Sequence, residues 1–176
     1  ENASAVGYGN NAGGVASSAF GFSNVAKVDY ASAFGYSNEA SGLASSAFGF
    51  SNTASGDNAN AFGYNNIASG SKSNVFGTGN TVSGSSSTAV GTANEVAAEN
   101  STAIGNNNTI SSGAENSAAL GNNISISLKD SVALGNNSTA TAINSVTGNS
   151  SYTKWAGVSD VVGVVSVGSS GATRQI

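Results

Sequence analysis

Ser-Ala-Phe-Gly-Tyr-Ser-Asn-Glu-Ala-Ser-Gly, residues 32–42, is the stretch whose reading decides the fold. With a three-residue spacer it makes a unit of 14 residues, and that unit recurs. Its glycine returns at Gly7, Gly21, Gly35, Gly49, Gly63, Gly77, Gly91 and Gly105, then at Gly121 after 16 residues and at Gly135 after 14 more. The residue before each glycine is large and apolar, from Val6, Phe20 and Phe34 to Leu120 and Leu134. The residue two before is Ala, with Val75 the exception. Asn stands three residues after the glycine in the first eight units, and Ala, Val or Ile stands five after. A period this short suits two strands and two tight turns, not the helix pairs of longer repeats. Gly and Asn fall where the chain must turn, because both tolerate positive φ. The expectation is an all-β solenoid of about ten coils stacked ~4.8 Å apart, a rod of roughly 48 Å. Asn recurring at one turn predicts a ladder of amides bonded from coil to coil.

The composition agrees with a repeat and excludes several functions. Only 8% of residues are charged, and the chain has no His, Cys, Pro or Met. Without His or Cys, most general bases, nucleophiles and metal ligands are gone. The net charge of −4, with no basic run, argues against nucleic acid. No stretch approaches a membrane span, and residues 1–4 do not read as a signal peptide. The pattern is already running at residue 3, so the sequence reads as a fragment of a longer protein.

The strand carrying Ala and the large apolar residue poses a packing problem. Adjacent residues face opposite sides, and here both are apolar. One face fills the thin coil, and the other needs a second surface. The expectation puts Phe20, Phe34 and their equivalents inside the coil. The small face of Ala19, Gly21, Ala33, Gly35, Ala47 and Gly49 then forms a contact between identical subunits.

The units Ser-Thr-Ala-Ile-Gly-Asn-Asn-Asn at 101–108 and Ser-Val-Ala-Leu-Gly-Asn-Asn-Ser at 131–138 resemble the head repeats of trimeric autotransporter adhesins, the YadA-like heads. Val-Val-Ser-Val-Gly-Ser-Ser-Gly-Ala-Thr-Arg-Gln-Ile at 164–176 resembles the neck that joins such a head to its stalk. Head repeats would then span 1–140, and the head–neck junction and neck 141–176. The resemblance implies a left-handed parallel β-roll and a homotrimer. It also implies a cell-surface position on a bacterial outer membrane, with anchoring through segments absent here. The implied function is attachment to a host cell-surface receptor or extracellular-matrix protein. Arg174 would pair with a group on a neighbouring chain. Two places depart from the plain pattern: Lys27-Val-Asp-Tyr30 replaces the usual spacer, and residues 122–130 hold the two extra residues.

Several residues are candidates for contact with a partner. The residue after each glycine runs Tyr8, Phe22, Tyr36, Phe50 and Tyr64, then turns polar at Thr78, Thr92 and Asn106. Such a row of rings can anchor a protein partner or simply stabilise the sheet. Lys27, Asp29, Tyr30 and Lys72 break a monotonous surface. Trp155, the single tryptophan, is expected to pack at the head–neck junction and at the subunit contact. Asp29 and Asp57 lie two coils apart, roughly 9.6 Å, the outer limit for a glycosidase pair. Solvated turn charges are the plainer reading of both. No cofactor, metal or catalytic residue is expected. The alternatives to an adhesive head are a rigid spacer that self-associates, a polysaccharide-acting β-helix and an ice-binding row.

Overall fold

A computed structural model describes residues 2–142 and 163–169. Each coil pairs a five-residue strand, such as Ser18–Phe22 or Ser32–Tyr36, with a two-residue strand, such as Val25–Ala26 or Glu39–Ala40. Among the described residues, the longer strands and Val165–Ser166 form one parallel sheet of eleven, and the short strands a second of ten. Registers repeat without slip: Ala19 pairs with Ala33, Phe20 with Phe34, and Gly21 with Gly35. The short strand holds only two residues, because two corners consume the rest of the coil. Each corner turns through a left-handed residue. One stands two after the glycine (Ser23, Ser37, Ser51), the other nine after (Ala16, Tyr30, Ala44), all with φ between 52° and 62°.

The repeat glycine and the Asn are one device. Gly35 has φ +117°, a conformation open to glycine alone, and a Cβ there would sit 2.1 Å from the Gly49 carbonyl oxygen. The neighbouring Asn takes the carbonyls that this backbone turns inward. Asn38 Nδ2 donates to the Gly49 oxygen at 2.7 Å, to Phe34 O at 2.9 Å and to Asn24 Oδ1 at 3.0 Å. Its Oδ1 accepts from Asn52 N and Asn52 Nδ2, both at 3.0 Å. The ladder runs from Asn10 to Asn108 and stops where Ile124 occupies the next rung. Buried polar groups are nearly always hydrogen-bonded, and here the bonds are the interior's organising element.

Two expectations are corrected. Ala19, Ala33 and Ala47 are fully buried inside their own coils, so no second chain can touch them. Phe20 and Phe34 point outward instead. The coil is too thin for two facing rings, so volume overrides hydrophobicity and the small residue goes in. Gly21, Gly35 and Gly49 serve the coil itself, giving their carbonyls to Asn10, Asn24 and Asn38. The second correction concerns the longer unit. Ser111 N bonds Ile126 O as Ala97 N bonds Ile110 O, and Ser101 Oγ bonds Ala114 O as Ser87 Oγ bonds Ala98 O. The two extra residues are therefore Ser112 and Gly113, both exposed at a corner, and not within 122–130.

The interior grows along the rod. Its short-strand position is Ala26, Ala40, Ala54 and Ala68 in the early coils, then Val82, Val96, Ile110 and Ile126. The neck-like segment begins as one more rung. Val165–Ser166 pairs in parallel with Val132 and Ala133, and Val132 N bonds Val164 O at 2.7 Å.

Candidate functional site

The outward face of the long sheet carries two columns of large side chains, because residues two apart in a strand share a face. The central column holds the residue before each glycine. Its rings Phe20, Phe34, Phe48, Phe62 and Phe76 stack with centroids 4.7–5.3 Å apart. It continues as Val90, Ile104, Leu120 and Leu134, each still 37–43% exposed. No coil from Val6 to Leu134 puts a polar residue there.

Beside it runs the column after the glycine. Tyr8, Phe22, Tyr36, Phe50 and Tyr64 stack at 4.8–5.3 Å with planes within 17° of parallel. The sequence places this ladder, and the structure brings all five rings into one exposed row. Stacked rings offer their edges outward while their faces cover one another. Such a row suits broad apolar contact and is ill suited to stacking on a sugar or another flat ligand. From coil 6 the column changes to Thr78 and Thr92, then to Asn106, Asn122 and Asn136, whose side chains bond in a ladder of their own.

The remaining candidates divide by task. Asp29 Oδ1 accepts the Val15 N–H at 2.8 Å, and Asp57 Oδ1 accepts the Leu43 N–H at 3.0 Å. Each carboxylate therefore fastens the corner of the coil before it. Lys27 Nζ lies 2.6 Å from Glu39 Oε1, an exposed ion pair across adjacent coils. Tyr30 and Lys72 project at the second corner, both with left-handed backbone. Trp155 and Arg174 lie outside the described residues. Among the described residues, no three His, Cys, Asp or Glu side chains come together as a metal site.

One feature escaped the sequence reading. Val15 and Leu43 stand exposed at the second corner, flanking Tyr30. The signal was available: in the first three coils this corner reads Val-Ala, Asp-Tyr and Leu-Ala, and from Asp57 onward it is polar.

A search of curated proteins returns no match. The family model for the YadA head domain repeat matches residues 12–38, 40–66, 54–80, 83–108 and 129–146, well over half of the chain. That family is one of bacterial surface-exposed adhesins and is not an enzyme family. Repeat, ladder and family match agree, and the chain belongs to the YadA-like head domains of trimeric autotransporter adhesins.

Proposed function

We propose that this chain is the head of a homotrimeric, left-handed β-roll adhesin that attaches a bacterial cell to a host surface or extracellular-matrix protein. One observation carries the assembly. The central column stays apolar over ten coils while its neighbours vary, although it points away from its own interior. A column that must be covered along its whole length fits an axis shared with two further copies. The rings from Phe20 to Phe62 are already partly buried, so covering what remains of each is worth at most about 2 kcal/mol. The subunit contact is thus assigned to the Phe20 column, in place of the Ala residues. With that face against the axis, the short sheet and the polar corners look outward. They present Lys27, Glu39 and Lys72 to a host protein.

The test is binding of the recombinant head to immobilised matrix proteins and to cultured host cells, with its mass checked by light scattering. Saturable binding by a particle near three times 17.0 kDa supports the reading. Heads that clump cells yet bind no host protein would support the spacer and self-association alternative.

A further inference from the structure

Two edges flank the long-sheet face of each coil. At one stand Tyr8, Phe22, Tyr36, Phe50 and Tyr64; at the other, Val15, Tyr30 and Leu43. Both edges are apolar at the same end of the rod, and both turn polar toward the other end. The first changes at Thr78 and the second at Asp57-Asn58. Val15, Tyr30 and Leu43 are 43%, 61% and 47% exposed. Asp29 interrupts them in sequence, but its carboxylate is turned back onto the Val15 N–H.

The apolar stretch that both edges share in coils 1–3 has a geometric reading under the trimer proposed above, on which it rests. A cyclic contact is heterologous, so one edge of a copy meets the opposite edge of the next. A rotation about an axis parallel to the rod keeps every coil at its own height. The apolar corner of coils 1–3 is then carried to the aromatic edge of coils 1–3. We propose that Tyr8, Phe22 and Tyr36 of one copy pack against Val15, Tyr30 and Leu43 of the next.

Two further features agree. The early coils are filled by Ala26, Ala40 and Ala54, so they own the least apolar interior and gain most from an intermolecular one. Tyr30 holds an aromatic ring at φ 62°, where other coils place Ala, Asn, Ser, Asp or the flexible Lys72. An aromatic side chain in that conformation is unfavourable without a contact to offset it.

The chain has no cysteine, so engineered thiols report cleanly. Chains carrying Tyr36→Cys are co-assembled with chains carrying Leu43→Cys and oxidised. A second pair uses Phe22→Cys with Tyr30→Cys. The control couples Tyr36→Cys with Lys129→Cys, roughly 29 Å away along the rod. Cross-linked dimers from the first two mixtures, at least about tenfold above the control and absent from either chain alone, are expected. Particles of trimeric mass that give no cross-link from either pair, with the thiol at position 36 open to a soluble maleimide, would overturn the pairing. The ladder would then be free for a host protein. An unmodified head that is monomeric would instead bring down the trimer on which the pairing rests.

Discussion

Replacing Asn52 by Ala removes one rung from the middle of the amide ladder. Asn52 is fully buried. Its Nδ2 donates to the Gly63 carbonyl at 2.7 Å, and its Oδ1 accepts the Asn66 N–H at 3.0 Å. Alanine leaves both buried backbone groups without these partners. A buried unsatisfied group costs about 1–3 kcal/mol, so the pair predicts a loss of about 4 kcal/mol per chain. A water entering the vacated space would recover part of it and leave about 2 kcal/mol. Asn38 Oδ1 adds little, since it keeps the Asn52 N–H. The assay is denaturant unfolding at fixed protomer concentration, because an assembled head gains stability by mass action. Thr53→Ala is the reference, an outward side chain one residue on, and should shift stability by less than about 0.5 kcal/mol. If Asn52→Ala unfolds within about 0.5 kcal/mol of the parent, the ladder is decoration and the account of the interior is wrong.

Three more outcomes follow from the same geometry. Gly49→Ala should cost at least about 3 kcal/mol by thermal unfolding, because φ is +118° and the new Cβ would lie 2.2 Å from the Gly63 oxygen. Ala47→Leu should cost more than about 3 kcal/mol or abolish the cooperative melt, whereas Phe48→Ala should mainly weaken association, read as mass against concentration. Lys27→Ala should cost under about 1 kcal/mol at low salt and nothing measurable in high salt, since its pair with Glu39 is exposed.

The period, the registers and the amide ladder were legible in the sequence, because each coil repeats the same physical problem. By recurring together, Gly35 and Asn38 announce turned-in carbonyls and the side-chain amides that donate to them. The inside and outside of the long strand were read the wrong way round. Alternation shows that the Ala and Phe faces differ but not which is enclosed, and hydrophobicity favoured the larger residue. The deciding clue was constancy of volume. The column of Ala19 stays small in every coil, Val75 being its largest member, as a thin interior favours, while the Phe20 column passes from Phe to Val, Ile and Leu. The extra residues were misplaced for a related reason. The longer unit shows its added length only against a neighbour, and the hydrogen bonds of Ser111 and Ala114 supply that comparison. The aromatic ladder was visible at once. Its counterpart at Val15 and Leu43 was not, because single exposed apolar residues are ordinary and only their height along the rod makes them notable.

The corner at Ser112 and Gly113 shows how the rod absorbs extra length: the chain swells outward for two residues, and Ser117 resumes its place beneath Ser101. Such tolerance bears on the gene as much as on the protein. A recombination event that drops or duplicates one whole repeat stays in reading frame and leaves every surviving coil with the neighbours it needs. The length of the rod can thus be raised or lowered in steps of one coil by unequal crossing-over, with no intermediate that must invent a new core.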